Sequence, residues 1–555
     1  MTSSRHRRST VLTRFALLLA VPAFTRAQAP ATPDGPRVTI DAGTLAGARD
    51  SVTGVLVFRG IPYAVPPVGS LRWRPPRPPA PWTGVRAATA FGPGCVQPAR
   101  GAPFLVDAAR QSEDCLTVNV WTPAADSIRR PVMVWLHGGG FFGGGAAQFD
   151  GRALARKGAV VVTLNYRLGP LGYLAHPALA AEDPKGSTGN YGLLDQIAAL
   201  EWVRRNATRF GGDPERVTVF GESAGAVGVA ALLVAPAARG LFHRAILESG
   251  MTTTSLGALP RRRAADDGVA YARALGVDGS GAGAAAALRA LDARLLVAPI
   301  ESAPMRIVWR DADRVPCGPW PVEIRFCPVI DGAVLPLPLD SAIAAGRWNR
   351  VPVLVGTNGN EMSTFLRDPS VLTTTELPVV LALGGLEVAG TGVALAYAGA
   401  DSGPGPDLLA RVQAVAGDAG FGAPARALAR LATRAGAPVY LYQFTRVAPG
   451  RERTGAGHAD EIAFVFGRPP RTGGRVAPSD SALAEAMTDL WVGFATAGDP
   501  NAGPATGRWP RWPLYDARDD AYLELGVEIR PGRALRRAQY DALDALSRAR
   551  GDIRP

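Results

Sequence analysis

The sequence predicts an α/β fold, in which a mostly parallel, doubly wound sheet is covered by helices on both faces. Continuous β-branched runs at 159–164 and 217–220 are typical of parallel strands that are buried on both sides. Between them, residues 192–210 carry apolar side chains at helical spacing. Strands that alternate with helices in this way indicate a doubly wound sheet. No linker divides the chain, so we expect one domain over residues 35–550.

The other predicted elements follow the same reasoning in chain order. Residues 38–41 and 54–58 are predicted as short antiparallel strands joined by turns at Gly43 and Gly47. Further apolar runs predict additional strands of the sheet at 116–121, 132–136, 351–355 and 439–443. Two stretches, about 251–345 and about 366–440, are predicted as helical lid insertions over the carboxyl edge of the sheet.

The composition argues against nucleic acid or a membrane as a partner. The 555 residues are 47% hydrophobic and 19% charged, with a formal net charge of +12. Five arginines lie in the first 27 residues, and the others are scattered without a basic run interleaved with aromatic residues. Beyond the first thirty residues, no apolar run is long enough to span a bilayer. We therefore expect no nucleic-acid partner and no stable membrane anchor.

The first 27 residues have the pattern of a signal peptide. A basic segment that ends at Arg14 precedes the apolar stretch 15–24, and small residues follow at Ala27 and Ala29. We expect cleavage near Ala27 and a periplasmic or secreted product.

The four cysteines predict disulfide bonds rather than a metal site. An even number of cysteines in an exported protein suggests disulfides. Three pairings are possible, and we favour the two between sequence neighbours, Cys95–Cys115 and Cys317–Cys327. No CxxC motif occurs, and only four histidines lie beyond residue 27, so we expect no bound metal.

The segment Gly221-Glu-Ser-Ala-Gly225 predicts a serine nucleophile. It follows the predicted strand 217–220 and precedes a helix of small residues. A nucleophilic serine on a tight strand-to-helix turn needs glycine two residues before and two residues after it. The helix N-terminus offers N–H groups and positive potential where an oxyanion would form. The motif alone also arises by chance, but its place between strand and helix favours Ser223 as the nucleophile.

A glycine run, Leu136-His-Gly-Gly-Gly-Phe141, follows another predicted strand. Adjacent glycines let backbone N–H groups point into a site. We expect Gly139, Gly140 and Ala224 to donate the three hydrogen bonds of an oxyanion hole. A surface turn and a phosphate loop are the alternatives, but a phosphate loop needs GxxxxGK[ST], and no lysine is nearby.

A serine nucleophile requires a general base, and His458 is the candidate. It lies late in the chain in a glycine-flanked loop, as the order nucleophile, acid, histidine requires. The other histidines beyond the leader are predicted to be structural residues. They are His137, His176 and His243.

The acid that orients the histidine is predicted to be Glu361, which a polar turn delivers at the carboxyl end of the strand 351–355. From residue types alone, Asp331 and Asp460 compete with it.

Together these motifs resemble the type-B carboxylesterases, the group that includes cholinesterases and bacterial para-nitrobenzyl-type esterases. The resemblance covers nearly the whole chain after the leader, and beyond the serine motif and His458 it rests on the segments 58–64, 112–116, 165–169, 189–196, 328–332 and 461–467. It implies the α/β-hydrolase fold and hydrolysis of small to medium carboxylic esters through an acyl-enzyme, without metal or organic cofactor.

The resemblance also implies roles for individual residues. It implies a Ser223, Glu361 and His458 triad, the oxyanion hole described above and a Cys95–Cys115 bridge. By the same resemblance, Glu222 and Ser249 would lie close behind the triad, and Arg72 would form a structural ion pair with Glu113.

Two departures from the family pattern bear on function. The turn around the acid is Asn360-Glu361-Met362, where the family usually has Asp-Glu-Gly. Between Cys95 and Cys115 the only aromatic residue is Phe104, so no cation–π platform for a choline ester is expected. The alternatives are a catalytically inactive adhesion or binding protein on the same fold, and a hydrolase of amides or of a specialised natural ester.

Overall fold

The structure is a computed structural model that describes residues 35–99, 102–250, 258–301, 326–367, 408–451 and 454–549. Within these ranges, eleven strands form the central sheet. In chain order, β1 to β11 are Ala48–Arg49, Leu56–Pro62, Thr117–Thr122, Arg130–Leu136, Val160–Leu164, Gly212–Glu222, Arg244–Glu248, Val353–Asn358, Val439–Phe444, Tyr522–Leu525 and Ile529–Gly532. The predicted signal peptide lies outside the described residues.

The sheet is mostly parallel, as the sequence predicts. Its strand order is β11-β10-β9-β8-β7-β6-β4-β5-β3-β2-β1. Neighbouring strands are parallel from β10 through to β5, and the pairs at the two edges are antiparallel. The carboxyl ends of the parallel strands therefore share one edge, where β6 and β8 deliver their following loops.

Helices cover both faces of the sheet. In chain order, α1 to α14 are Arg152–Arg156, Gly169–Tyr173, Pro177–Ala180, Tyr191–Asn206, Ala224–Val234, Arg261–Ala274, Ala282–Ala290, Ala293–Glu301, Leu339–Ala344, Leu408–Gly417, Ala423–Arg434, Ile462–Val465, Pro478–Ala497 and Arg537–Ala549. A single π-helical turn, Asp418–Gly422, joins α10 to α11.

The β-branched runs are buried because each face of the sheet has its own apolar core. Val160 and Val162 of β5 pack into the core that contains α4 and α5, whereas Val161 between them packs into the core that contains α13. Side chains alternate across a strand, so a strand buried on both faces is apolar at nearly every position.

The N-terminal strands differ from the prediction. Arg37–Ile40 pairs with Gly43–Ala46, and Val85–Ala87 completes a separate three-stranded sheet. The predicted strand 54–58 corresponds to β2, which pairs with β3 in the central sheet. The turn before Gly43 therefore joins Arg37–Ile40 to Gly43–Ala46 in a hairpin outside the central sheet.

Two covalent and ionic links expected from the sequence are present. Cys95 and Cys115 form a disulfide bond. Arg72 donates two hydrogen bonds of 2.7 Å to the carboxylate of Glu113. Cys317 lies outside the described residues, so its bridge to Cys327 stays a prediction.

Of the predicted insertions, 251–345 contributes α6 to α9, together with a short parallel pair, Leu259–Pro260 and Val329–Ile330. Among the helices that the structure describes, none is both long enough and apolar enough to cross a membrane.

Candidate active site

Ser223 lies on the sharp turn between β6 and α5. Its φ of +56° is a conformation that residues with side chains rarely adopt. An ideal Cβ on Gly221 would lie 2.7 Å from the carbonyl oxygen of Leu136, and one on Gly225 would lie 2.0 Å from the same atom. Both contacts are shorter than packed atoms allow, so the turn requires glycine on both sides of Ser223. The backbone N–H of Ser223 donates to the carbonyl of Glu248 at 2.9 Å, which ties the turn to β7.

The glycine run after β4 passes directly beside this turn. An ideal Cβ on Gly138 would lie 3.1 Å from Cβ of Ser223. Gly139 and Gly140 have φ values of +101° and +60°, so both need glycine. In the described part of the chain, no group accepts a hydrogen bond from the N–H of Gly139, Gly140 or Ala224. These three donors are therefore available to an oxyanion beside Ser223.

His458 is bound to Glu361. The Nδ1 atom of His458 lies 2.7 Å from Oε2 of Glu361. The other carboxylate oxygen of Glu361 accepts hydrogen bonds of 2.7 Å from Oγ of Ser249 and from the backbone N–H of Asn358. Glu361 follows β8 and is buried, so these contacts fix its carboxylate in one orientation.

The second ring nitrogen of His458 faces Glu222. Nε2 of His458 lies 3.0 Å from Oε1 of Glu222, the residue that precedes Ser223. Within the described ranges, no hydrogen bond joins Oγ of Ser223 to His458. The imidazole thus lies beside the serine turn, but Glu222 occupies the position of its hydrogen-bond partner.

The charges around His458 shift its proton affinity. Burial disfavours the charged imidazolium, but the carboxylates of Glu222 and Glu361 outweigh burial and raise the pKa of His458 to about 9. Burial raises the pKa of Glu222 to about 7; the charge of Glu361 adds to this effect, and that of His458 opposes it. Because Glu222 and His458 each contribute to the other's pKa shift, the protonation of one depends on that of the other.

Two further buried carboxyl groups lie behind the site, and sequence reasoning missed both. Oε2 of Glu461 accepts a hydrogen bond of 2.5 Å from Asn358, and its Oε1 lies 3.3 Å from Oγ of Ser249. Oε1 of Glu248 accepts a hydrogen bond of 2.7 Å from the indole of Trp491. Burial raises the pKa of Glu461 well above its ordinary value and that of Glu248 to about 8. Glu248 ends β7, and a carboxylate at the carboxyl end of an apolar strand was the available signal.

The competing histidines have other partners. The ring of His137 stacks on Tyr166, and its Nδ1 lies 2.9 Å from the carbonyl oxygen of Gly138. Burial lowers the pKa of His137 to about 4. Nδ1 of His176 accepts from the N–H of Ala178, and Nδ1 of His243 accepts from the N–H of Val217.

The competing acids also have other partners. One carboxylate oxygen of Asp331 accepts from three backbone N–H groups of its own loop, at residues 333–335. The carboxylate of Asp460 binds Arg451 and the N–H of Gly457. Neither makes a hydrogen bond to His458.

The disulfide loop brings an aromatic residue to the glycine run. An ideal Cβ on Gly139 would lie 3.3 Å from the ring of Phe104, and Phe104 packs edge-on against Phe142 with ring centroids 5.7 Å apart.

The described residues contain no group of three His, Cys, Asp or Glu side chains suited to a metal ion.

Comparison with known proteins gives consistent matches. The sequence profile of the carboxylesterase family matches residues 34–543. Fumonisin B1 esterase of Sphingopyxis macrogoltabida is 38% identical over 508 residues, which cover 89% of this chain and 87% of that protein. Para-nitrobenzyl esterase of Bacillus subtilis (strain 168) is 37% identical over 500 residues, covering 89% and 95%. Liver carboxylesterase of Sus scrofa is 34% identical over 547 residues, covering 91% and 92%.

Proposed function

Because this chain belongs to the carboxylesterase family, and therefore has the α/β-hydrolase fold, we propose that it hydrolyses carboxylic esters with Ser223, His458 and Glu361 as its catalytic triad. The observation that carries the assignment is the 2.7 Å hydrogen bond between Glu361 and His458, beside the strained turn of Ser223. Of the described histidines, His458 alone has a carboxylate on each side of its ring.

In the first half of the reaction, Oγ of Ser223 attacks the ester carbonyl carbon and its proton passes to Nε2 of His458. For this step, Nε2 must leave Glu222 and turn to Ser223. The carbonyl oxygen becomes an oxyanion, which the N–H groups of Gly139, Gly140 and Ala224 stabilise. Collapse of the tetrahedral intermediate breaks the bond to the alcohol, which leaves with the proton from His458.

In the second half, water takes the place of the alcohol. His458 removes a proton from the water as it attacks the acyl-enzyme, and the same N–H groups bind the second oxyanion. His458 then returns the proton to Oγ of Ser223, and the carboxylic acid leaves. Glu361 orients the imidazole and stabilises the imidazolium.

The substrates we propose are small to medium carboxylic esters. Phe104 and Phe142 place apolar surface beside the glycine run, where a neutral acyl or alcohol group would pack. An amide or a specialised natural ester would use the same triad, since leaving-group preference depends on pocket shape. An inactive binding protein is disfavoured because serine, histidine and acid are all retained.

The test of the proposal is turnover of para-nitrophenyl esters of increasing acyl length, with an anilide as the amide counterpart. We expect hydrolysis of the esters by the parent protein and none above background by Ser223→Ala. Ser481→Ala changes an exposed serine on α13 and serves as the matched control, with parent activity expected. Equal turnover by Ser223→Ala and Ser481→Ala would exclude the proposed nucleophile.

We further propose that residues 35–550 form the single catalytic domain, with the lids at about 251–345 and 366–440 shaping its pocket, and that residues 1–27 direct export. The N-terminal sequence of protein recovered from a secreting host would then begin close to residue 28. Recovery of protein that still carries residues 1–27 would reject the export proposal.

A further inference from the structure

The ring of His458 is held between the loop after β8 and the π-turn. Its ring centroid lies 5.0 Å from that of Phe365 and 4.9 Å from that of Phe421. Phe365 follows Glu361 closely in sequence, whereas Phe421 lies on the π-turn Asp418–Gly422, nearly sixty residues away. Phe421 is buried in a small apolar cluster that includes Met362 and Leu366.

The sequence explains why the helix widens at this point. The N–H of Ala423 donates to the carbonyl of Asp418, five residues earlier. Pro424 has no N–H, so the hydrogen bond that an α-helix would make to Gly420 is absent. Single π-turns of this kind occur frequently at functional sites, where they re-aim a side chain. Here the side chain is Phe421.

The C-terminal helix α14 and the residue before it contact the two ends of the π-turn. Nε of Arg536, the residue just before α14, donates to Oδ2 of Asp418 at 2.7 Å. At the other end, an ideal Cβ on Gly422 would lie 2.3 Å from the hydroxyl oxygen of Tyr540. Only glycine allows this approach, so the fit of Gly422 against Tyr540 is specific.

The backbone before α14 is strained where it makes this contact. Ala534 and Arg536 have φ values of +56° and +42°, and neither is glycine. Such conformations cost on the order of 1 kcal/mol each and persist only where the surrounding contacts compensate. The ion pair with Asp418 is one such contact, with Arg536 and Asp418 both largely shielded from solvent.

From these contacts we propose that Arg536 and Tyr540 are positioning residues for the general base: they fix the π-turn, which holds Phe421 against the imidazole of His458. The inference rests on the proposed function of His458. Neither residue touches His458, so each acts through the π-turn.

The expected consequence follows from the two positions that Nε2 must occupy. The imidazole faces Glu222 in this structure and must reach Ser223 for proton transfer. A ring packed by Phe421 and Phe365 moves between these partners without sampling other rotamers. If the π-turn relaxes, the productive orientation becomes less populated and kcat falls. KM for a small ester changes little, because substrate does not bind to Arg536.

The experiment compares three arginine variants in the full chain. Arg536→Met removes the ion pair, and Arg536→Lys retains the charge. Arg533→Met is the matched control, because Arg533 lies in the same connection and pairs with the exposed Asp519 at 3.3 Å, away from the π-turn. Phe421→Leu tests the contact with the imidazole directly. Each variant is measured for kcat and KM on a small para-nitrophenyl ester, at a temperature well below its own unfolding midpoint.

We expect Arg536→Met and Phe421→Leu to lower kcat about five- to tenfold with KM within about twofold, since small misplacements of catalytic groups are costly. Arg536→Lys should recover most of kcat, and Arg533→Met should match the parent. Parent kcat in Arg536→Met, or an equal loss in Arg533→Met, would overturn the proposal.

A second readout separates this inference from the proposed function. In protein labelled with 15N-histidine, the Nδ1 proton of His458 bound to Glu361 should give a far-downfield resonance. We expect that resonance to broaden or shift in Arg536→Met but not in Arg533→Met. An unchanged resonance would reject positioning even if the esters are hydrolysed. Absence of ester turnover in the parent, with the resonance still altered in Arg536→Met, would reject the function and keep the coupling.

Discussion

Nε2 of His458 lies 3.0 Å from Oε1 of Glu222, although in the proposed mechanism Nε2 is the atom that accepts the proton of Ser223. Glu222 is the last residue of β6 and Ser223 follows it, so in the proposed mechanism the imidazole exchanges Glu222 for the next residue in the sequence. While the imidazole faces Glu222, the carboxylate favours the imidazolium form. In the proposed mechanism, the Glu222 carboxylate therefore opposes formation of the neutral imidazole that accepts the proton of Ser223.

The first prediction concerns the pH dependence of Glu222→Gln. A general base works only when neutral, so kcat/KM should rise as pH increases through the pKa of His458. Burial opposes the charged imidazole, yet the carboxylates of Glu222 and Glu361 raise its pKa to about 9. Removing the charge of Glu222 should move the acidic limb of the profile to lower pH, by about one unit.

The control for this variant is Glu215→Gln, because Glu215 is an exposed carboxylate 3.5 Å from the unrelated His243. We expect its kcat/KM profile to overlay that of the parent. A Glu222→Gln profile with an unmoved limb, or one moved to higher pH, contradicts the electrostatic role of Glu222.

The second prediction concerns Ser249→Ala. Oγ of Ser249 donates to Glu361 at 2.7 Å and lies 3.3 Å from Glu461. Loss of this donor leaves the buried Glu361 with one hydrogen bond fewer and a less fixed orientation toward His458. We expect kcat to fall about tenfold with KM nearly constant, since one hydrogen bond to a charged group contributes about 1.5–3 kcal/mol. Steady-state kinetics on one ester measures this, and parent kcat would show that Ser249 has no orienting role.

The third prediction concerns the glycine two residues after the nucleophile. A Cβ on Gly225 would lie 2.0 Å from the carbonyl oxygen of Leu136, a backbone atom that cannot turn aside. Gly225→Ala should therefore displace the serine turn from the glycine run and abolish ester turnover. Gly283→Ala near the start of α7 is the matched control, because nothing lies within 4 Å of its Cβ position, and parent activity is expected. Activity of Gly225→Ala close to the parent value would refute the steric account.

The fourth prediction concerns stability and Glu248. Burial raises the pKa of Glu248 from 4.5 to about 8, so the folded protein binds a proton that the unfolded chain has released. The resulting stabilisation is complete below about pH 4.5 and is lost as pH rises through about 8. Glu248→Gln keeps an acceptor for Trp491 and removes this loss. The unfolding midpoint of Glu248→Gln minus that of the parent should therefore increase by at least about 2 °C from pH 5 to pH 9. A difference that is constant with pH would contradict the shifted pKa.

The sequence alone predicts the elements that depend on local pattern. The parallel strands were predictable because β5 and the end of β6 are continuous apolar runs. The serine turn was predictable because Gly221 and Gly225 mark its steric requirement. Predicted helix 192–210 is α4, Tyr191–Asn206, followed by a 3₁₀ turn over Ala207–Phe210. The apolar periodicity in the sequence therefore extends past Asn206, where the α-helical hydrogen bonding ends.

What the sequence does not predict depends on long-range contacts. The approach of Nε2 of His458 to Glu222 joins residues 236 positions apart, and no local pattern indicates it. The partners of Glu248 and Glu461 come from distant elements of the chain. Pro424 removes one α-helical hydrogen bond near Phe421, but the close approach of Tyr540 in α14 to Gly422 is a long-range contact that no local pattern indicates.

The most direct test of the account is to find which residue a covalent serine-hydrolase probe modifies. The protein is treated with an organophosphate at pH 8, digested, and mapped by mass spectrometry. We predict one adduct on Ser223 in the parent, no adduct in Ser223→Ala, and strongly slowed labelling in His458→Ala. An adduct on any other residue, or labelling of Ser223 at the parent rate without the imidazole of His458, would contradict the central claim that this histidine activates this serine.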